Sequence, residues 1–494
     1  MNLSVLLLIP LLTAIAILLA PRNVQPRWIA LVGSFIQLVF AFILLHLFYS
    51  EKAGNDAASM VFIRQYSWLT AWNINYEIGV DGISVAMILL TAFIVIAGVL
   101  VSWNVQQRVK EFYFLLIFLG LGAYGFFISL NLFILFFFLE IAVIPKYLLI
   151  GIWGSGKKEY SANKLALMLM GGSALVLVGL LGLYFSSGGE RTFSLMQLAR
   201  LHIPVGIQKI FFPLLFTGFG VFTALFPFHT WVPDGHSSAP TAGSMFLAGI
   251  SMKLGSYGCL RVAVYLLPDA AKEYAPVIIV LSSIAILYGA FATMMQRDLK
   301  YMNAYSSVSH CGFILLGIGM LTKTAIVGAV MQMISHGLMT ALFFAVIGMI
   351  YERTHTRIVS EMGGLMKVMP FVMTVFFIAG FCSLGLPGLS GFVAEITIFI
   401  GSWEHSGLFY RVATVAACMS IVVTAVYILR AIAQVAMGPV KNQQYLQLKD
   451  AGWNEKLAAI ILIIGIIAIG VAPSWLNHLV SPGAEVIMQK ITNK

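Results

Sequence analysis

The hydrophobic pattern of this chain consists of long apolar runs separated by short polar connections. An apolar run of about 20 residues is long enough to cross a lipid bilayer as an α-helix. By that criterion the sequence predicts fourteen transmembrane helices, at roughly 2–20, 28–50, 80–103, 112–129, 131–153, 163–187, 206–227, 241–266, 274–295, 302–322, 325–350, 368–402, 408–436 and 455–477. The longest connections, about 51–79 and 188–205, leave room only for short ordered caps, so we expect no soluble domain.

The ends of the chain and the charges of the connections predict the topology. The first run opens Met-Asn-Leu-Ser without a basic segment, and further runs follow it, so we expect a retained helix rather than a cleaved signal peptide. An even number of spans places both termini on one side of the membrane. The loops on the opposite side carry 15 Lys and Arg, against 10 on the side of the termini. The positive-inside rule then predicts cytoplasmic loops and periplasmic termini in a bacterial inner membrane.

Pro and Gly interrupt the chain at two places, 226–240 at the seventh predicted helix and 384–391 in the twelfth. The interruptions are five helices apart, so helices 4–8 and 9–13 are predicted to be two copies of a five-helix unit. An odd number of helices makes such copies inverted in the membrane, and paired breaks are typical of ion pathways in transporters. Each break taken alone is also compatible with a simple proline kink. The predicted divisions are N-terminal helices, first repeat, second repeat and C-terminal helix, at 1–111, 112–266, 274–436 and 437–494.

Composition supports a polytopic all-α membrane protein. Of the 494 residues 60% are hydrophobic and 10% are charged, with a mean hydropathy of +0.95. A soluble domain is about 25% charged, so an ordinary soluble enzyme, a disordered chain and a nucleic-acid-binding protein are excluded. The four cysteines are far apart in apolar stretches, which supports neither a zinc site nor disulfides. We find no nucleotide-binding or iron–sulfur motif, so no redox centre is expected in this chain.

Charged side chains inside the apolar runs are the first candidates for function. A charge at the bilayer centre costs about 2.5–3.5 kcal/mol even on lenient scales, and such residues usually face a protein interior or a wet cavity. Arg261 and Arg430 lie nearer the ends of their runs and are expected to be anchors or helix-end partners. The charged residues inside the runs are Glu140, Lys146, Lys253, Arg261, Glu395 and Arg430.

Glu140 and Lys253 are the two charges that lie deepest in their predicted helices. Burial disfavours the charged form of an ionisable group, so a buried carboxyl or amine can exchange a proton near neutral pH. We therefore interpret both as proton carriers. The alternatives are a structural ion pair for Glu140 and packing against backbone carbonyls for Lys253. His310 and His336 also lie within runs, and imidazole can accept and donate a proton near pH 7. Each histidine could instead make an ordinary interhelical hydrogen bond.

Three motifs carry a resemblance to a known family. They are Trp231-Val232-Pro233-Asp234-Gly235-His236-Ser237-Ser238-Ala239-Pro240-Thr241, the stretch from Asp298-Leu299-Lys300 to His310, and the stretch from Leu386-Pro387-Gly388 to Glu395. Over nearly its whole length the chain resembles the antiporter-like membrane subunits of respiratory complex I. Within that family it is most similar to the chain M group, which lacks a long lateral C-terminal helix and has a glutamate on broken helix 12.

The resemblance implies roles for individual residues. Glu140 matches the family's glutamate on helix 5, Lys253 its central lysine on helix 8, and Glu395 the exit-side carboxylate. His310 and His336 match histidines of the family's hydrophilic axis. The Asp-Gly pair at the start of the family's helix 3 matches residues 81–82.

One departure from the family pattern concerns the partner of Glu140. The family has a lysine on helix 7, seven residues before the histidine of a Pro-x-His-x-Trp motif, and here that position is Phe222. Lys146 follows Glu140 on the same predicted helix, directly after Pro145, and we hypothesise that it replaces the missing cation. Six residues advance about 9 Å and turn through about 600°, so a direct ion pair on a straight helix is not expected. The alternative is that Lys146 snorkels to the cytoplasmic interface.

The resemblance implies a proton-translocating subunit of an NADH:quinone oxidoreductase, an enzyme whose electron transfer occurs in partner subunits. NADH, FMN, iron–sulfur clusters and quinone are expected in those partners, and no cofactor is expected in this chain. The expected partners are membrane subunits of the L and N types, the lipid bilayer and protons, with no nucleic acid. A subunit of a Mrp-type Na⁺/H⁺ antiporter is the main alternative, and an inert membrane scaffold is a third.

Overall fold

The computed structural model describes residues 1–21, 24–54, 60–188 and 191–492, which form a helical bundle with one short β-hairpin. The helices of the first half are α1 (Val5–Leu19), α2 (Pro26–Gly54), α3 (Gly82–Val101), α4 (Val109–Ile128), α5 (Leu132–Trp153), α6 (Lys158–Ser186), α7 (Leu195–Arg200), α8 (Val205–Thr223), α9 (Trp231–Ser238), α10 (Thr241–Phe246) and α11 (Met252–Gly258). Those of the second half are α12 (Pro268–Met294), α13 (Leu299–Gly319), α14 (Lys323–Thr354), α15 (Pro370–Ser383), α16 (Ser390–Trp403), α17 (Leu408–Ala436), α18 (Trp453–Val471) and α19 (Ser474–Thr492).

Ten of the helices in the described residues are long and apolar enough to cross a membrane. The shorter apolar helices are α1, α15 and α16. The helices α3 and α14 are buried along almost their whole length, so they form the centre of the bundle. In contrast, one side of α2, α6 and α17 exposes large apolar residues, as expected for helices that face lipid or a neighbouring protein. The fold is therefore that of a polytopic membrane protein.

A β-hairpin corrects the prediction of an all-α chain. The strands β1 (Val61–Leu69) and β2 (Ile74–Val80) pair antiparallel, and Ile78 of β2 forms a further bridge to Ser129. They occupy most of the connection that was predicted to hold only short caps, of which residues 55–59 lie outside the described part. The hairpin was missed because strands of nine and seven residues are too short to stand out beside apolar runs of about 20 residues.

Side-chain caps fix the starts of several helices. A helix leaves its first backbone N–H groups without partners, and an Asp, Asn or Thr just before the helix can accept from them. Asp81 accepts from the Ser84 N–H at the start of α3, and Asn131 accepts from two N–H groups at the start of α5. Asp298 and Thr322 do the same for α13 and α14. The caps therefore set the depth at which each helix begins.

Two ends of the bundle can be distinguished by their contacts. The hairpin face contains β1, β2, the start of α5 and α7, because Asn131 forms a bridge to Ser194 next to the hairpin. The opposite face contains the connections in which Ser155 N–H donates to the Ser238 carbonyl and Arg357 pairs with Asp298.

Both predicted interruptions are real breaks in the helices. The helix α8 ends at Thr223, Ala224 adopts a left-handed conformation with φ +71°, and α9 begins only at Trp231. The helix α15 ends at Ser383, and the chain passes through Gly385 (φ +74°) and Gly388 (φ +93°) before α16 begins. Positive φ is inexpensive only for glycine, so these two glycines permit the turn between α15 and α16.

The C-terminal part corrects the predicted span at 455–477. The helix α18 ends at Val471, and a separate amphipathic helix, α19, follows from Ser474 to Thr492. It lies on the hairpin face, where Lys490 Nζ donates to the Ala199 carbonyl (2.6 Å) and Glu485 pairs with Lys323 (2.8 Å). A search for apolar runs does not detect α19, because polar residues interrupt its apolar ones. The spacing of its apolar residues is instead typical of an amphipathic helix at a protein surface.

Candidate functional site

The centre of the candidate site is Lys253, which lies in a helical run interrupted by π-turns. Five-residue and six-residue π-helical segments, Leu247–Ser251 and Cys259–Val264, flank α11 on either side. At the first of them the Met252 N–H bonds to the carbonyl of Leu247, five residues back. Such turns widen a helix, change which carbonyls are free and are frequent at functional sites. The carbonyl of Ala248, in the first π-turn, accepts a hydrogen bond from the amine of Lys253.

Lys253 is fully buried and connects two helices. Its Nζ is hydrogen-bonded to Nδ1 of His336, which lies near the middle of α14. Nε2 of His336 has no hydrogen-bond partner among the described residues. A buried amine with an imidazole partner can pass a proton between two nitrogen atoms, because either group can hold it.

Beyond His336 the polar chain continues to Glu395. The rings of His336 and His310 lie 5.5 Å apart between their centroids, and Nδ1 of His310 lies 3.4 Å from Oε1 of Glu395. Nε2 of His310 is also hydrogen-bonded to Oγ of Ser383 (3.1 Å), and Gln332 Nε2 lies 3.3 Å from Nδ1. The structure therefore brings Lys253, both histidines and Glu395 into one buried row.

Glu395 lies beside the second break. It is 4% exposed and belongs to the first turns of α16, and a Cβ added at Gly385 would lie 2.7 Å from its Oε2. The break thus brings backbone close to the carboxylate and frees the amides and carbonyls of two helix ends. Irregular backbone at membrane depth is tolerated only inside protein or beside water.

Glu140 and Lys146 form a second polar group on α5, apart from this row. Glu140 is half-buried, its Oε1 has no hydrogen-bond partner among the described residues, and Ser173 of α6 is its neighbour. Lys146 is 2% exposed, which excludes the alternative that it snorkels to the membrane surface. Its Nζ lies 5.9 Å from the ring centroid of Phe222 and has no hydrogen-bond partner within the described ranges. Glu140 and Lys146 lie six residues apart on α5 and form no direct ion pair.

Two buried residues near Lys253 were missed by the sequence analysis. Lys300 is 4% exposed and donates to the Ala239 carbonyl (2.7 Å), and His236 is fully buried with both ring nitrogens unpartnered in the described part of the chain. Their chain neighbours Ser237 and Tyr301 line a cavity of about 600 Å³ on the opposite face, together with Arg357 and others. Lys300 was counted as a loop charge. Both could have been identified because His236 lies in the motif 231–241 and Lys300 in the motif 298–310, which carry the family resemblance.

Arg261 and Arg430 have different environments. Arg261 is 3% exposed and forms an ion pair with Asp81, the capping residue of α3, so it joins two helices rather than anchoring one at the interface. Arg430 is exposed and donates to the Met294 carbonyl at the end of α12 (2.6 Å), as expected for a helix-end partner. No group of three or more His, Cys, Asp and Glu side chains in the described ranges could hold a metal ion.

Comparison with known proteins identifies a family. Residues 129–420 match the family model described as "NADH:quinone oxidoreductase/Mrp antiporter, TM". An NAD(P)H-quinone oxidoreductase chain 4 of Microcystis aeruginosa is 38% identical over 88% of this chain and 79% of its own length. The NADH-quinone oxidoreductase subunit M of Rickettsia conorii is 33% identical over 99% of this chain and 98% of its own length.

Solved structures share the fold. A chain of respiratory complex I from Thermus thermophilus matches 99% of this chain and 100% of its own length, with a TM-score of 0.90 and 25% identity. A chain of the Mrp complex from Dietzia matches 99% of this chain and 98% of its own length, with a TM-score of 0.85 and 18% identity. The second likeness concerns the fold alone.

Proposed function

Because the chain belongs to the family of membrane subunits shared by NADH:quinone oxidoreductases and Mrp antiporters, we propose that it is a proton-translocating subunit of a respiratory NADH:quinone oxidoreductase, of the chain M type. The observation that carries this proposal is the buried row Lys253–His336–His310–Glu395. Electron transfer from NADH to quinone, with its flavin and iron–sulfur clusters, belongs to partner subunits. Neighbouring membrane subunits of the L and N types would supply the coupling.

The proposed architecture has fourteen spans and two inverted repeats. Counting α8 with α9, α10 with α11, and α15 with α16 as single broken spans, and leaving out α7 and α19, gives this number. The repeats are then spans 4–8 and 9–13, and each repeat has its break in its fourth span. The Lys and Arg of the opposite face make it the cytoplasmic side, so the hairpin face and both termini are periplasmic.

In the proposed mechanism a proton is taken up near Glu140, passes Lys253, His336 and His310, and leaves past Glu395. A change of charge in a neighbouring subunit alters the proton affinity of Glu140. Because the groups of the row lie close together, the proton affinity of each depends on the charge of the next, and they titrate as a set. The side chains of the row are buried in the protein, and the low dielectric constant of a protein interior strengthens the electrostatic interactions among them.

A Glu140→Gln variant tests the proposal. It should assemble, because glutamine keeps the shape of the side chain, but the protons pumped per NADH oxidised should fall. Loss of a positioned proton-transfer group costs about 100-fold or more in the rate of its own step. The measurement is proton uptake by inverted membrane vesicles during NADH oxidation. Glu485→Gln on exposed α19 is the control with the same chemical change.

Undiminished pumping by the assembled Glu140→Gln complex would remove Glu140 from the mechanism. Retained pumping after Glu140 and Lys253 are both neutralised would favour an inert scaffold. If the chain co-purifies with other membrane subunits but without flavin and iron–sulfur proteins, it is instead a subunit of a Mrp-type antiporter.

A further inference from the structure

Among the buried lysines of the described structure, Lys146 is the one whose amine has no hydrogen-bond partner. Its side chain is 2% exposed. A buried ammonium without a partner costs several kcal/mol, and replacing it with an apolar residue is often neutral or stabilising. The stability of the bundle therefore gives no reason for a lysine at this position.

The surroundings of the Lys146 amine suggest an electrostatic role for a lysine at this position. Lys146 follows Pro145 in α5, and its Nζ crosses to α8, where it lies 5.9 Å from the centre of the Phe222 ring. Phe222 belongs to the last turn of α8, which ends in the middle of the bundle. The negative end of a helix dipole attracts a cation, as does the face of an aromatic ring. Glu140 lies on the same helix six residues before Lys146, and its Oε1 also has no hydrogen-bond partner in the described structure.

We propose that Lys146 is the charge partner of Glu140, and that it supplies from α5 itself the cation that controls whether Glu140 holds its proton. The inference rests on the proposed function and names the residue that regulates its first group. With Lys146 charged, the carboxylate form of Glu140 is favoured and the proton is released. With the amine neutral or drawn towards the end of α8, Glu140 binds a proton again.

The geometry allows the cation to be moved to another helix. The Lys146 amine and the Phe222 ring share one gap between α5 and α8, so a lysine at position 222 would extend into that gap from the other side. A residue that acts as a charge partner can be replaced by a positive charge from another helix, provided that the charge lies in the same place. A residue that acts by packing cannot be replaced in this way, because its side chain has to fit at its own position. Exchange of the two positions therefore separates the two roles.

The experiment measures protons pumped per NADH oxidised in inverted vesicles that contain the assembled complex. Lys146→Met should reduce this ratio about as much as Glu140→Gln does. The double variant Lys146→Met/Phe222→Lys should recover at least half of the lost ratio. Lys209→Met, which removes an exposed lysine of α8 that pairs with Glu273, should leave the ratio unchanged.

Two results would overturn the inference. One is a wild-type ratio in Lys146→Met complexes while Glu140→Gln complexes pump poorly, which would leave the proposed function intact. The other is a double variant that assembles but pumps no better than Lys146→Met. If Lys146→Met alone does not assemble, a double variant that assembles but does not pump counts in the same way. If Glu140→Gln also pumps normally, the proposed function fails instead.

Discussion

Buried charges in this protein differ in how they are satisfied. Lys253 and Glu395 have imidazole partners, Arg261 has the carboxylate of Asp81, and Lys146 has only an aromatic ring and a more distant carboxylate. A fully paired charge is held in one state, whereas a poorly paired charge can change its state at small cost. The groups proposed to carry protons are those whose partners are imidazoles or a carboxylate without direct contact, whereas the ion pair of Arg261 with Asp81 stabilises the fold.

Glu77 of β2, which lies outside the membrane-spanning helices, leads to a prediction about how the stability of the protein depends on pH. Burial raises the pKa of its carboxyl, against a weaker opposing effect of the Ser194 hydroxyl, and its Oε2 has no partner in the described structure. The folded state then binds more protons than the unfolded state, so the free energy of unfolding falls as pH rises from the ordinary pKa of glutamate through the raised one.

A Glu77→Gln variant should therefore be more stable than the wild type above that pH window, and the difference should vanish below it. Thermal unfolding followed by tryptophan fluorescence between about pH 4 and pH 8 measures the effect. The same change at Glu111, an exposed residue paired with Arg108, should produce no such pH-dependent gain. A variant less stable than the wild type at pH 8 would contradict the argument.

The sequence was sufficient to select buried ionisable residues but not their contacts. Glu140, Lys253 and Glu395 stand out because a charge in an apolar run is costly, and this cost is independent of the neighbours. That His310 lies within 3.4 Å of Glu395 depends on how α13 and α16 pack, which no local pattern encodes. Lys300 and His236 were missed because the helix α13 begins earlier than its apolar run, and because α9 is short and polar.

At the scale of elements, the break between α15 and α16 determines where Glu395 lies. Both Gly385 and Gly388 have positive φ, but only Gly385 faces the carboxylate. The sequence predicted both breaks, because Pro and Gly punctuate helices in a known way. It did not predict the hairpin or α19, because the two strands are only nine and seven residues long and α19 mixes apolar with polar residues, so neither contains an apolar run long enough to cross a membrane.

Alanine substitutions at the two glycines can distinguish the effect of backbone strain from the effect of moving the Glu395 carboxylate. Alanine at either site should cost about 1–2 kcal/mol of backbone strain. In Gly385→Ala the new Cβ would also meet Oε2 of Glu395 at 2.7 Å and displace the carboxylate, whereas no heavy atom lies within 4 Å of the corresponding Cβ at Gly388. Proton pumping should therefore fall in Gly385→Ala and remain near the wild-type value in Gly388→Ala. Equal pumping by the two assembled variants would show that the position of Glu395 does not matter.

At the scale of the whole molecule, α19 closes the hairpin face. A Cβ added at Gly82, the first residue of α3, would lie 1.7 Å from the backbone oxygen of Leu479, and one at Gly483 would lie 2.8 Å from Oδ2 of Asp81. The helix therefore rests directly on the start of α3, beside the Asp81–Arg261 pair. It connects the N-terminal helices to α14 through the pair between Glu485 and Lys323.

The close contact at Gly82 predicts a strong effect of a small change. Gly82→Ala should lower the stability of the protein by about 1–3 kcal/mol or more, because the clash is with backbone that cannot rotate away. Gly206→Ala in α8 is the control, since its Cβ would meet no heavy atom within 4 Å. The measurement is the amount of folded protein in membranes together with its thermal unfolding midpoint. Equal values for both variants would show that α19 is not tightly docked.

The depth of the polar row has a consequence for the electrical work of transport. Lys253 lies near the middle of the run 241–264, His336 and His310 near the middle of α14 and α13, and Glu395 beside a break in the middle of its span. In the proposed mechanism, a charge displaced along this row therefore moves largely in the plane of the membrane. The membrane potential is worth about 2.3 kcal/mol per elementary charge per 100 mV only for motion along the membrane normal. Steps within the row are therefore nearly independent of the potential, and the steps that reach the two faces bear almost all of it.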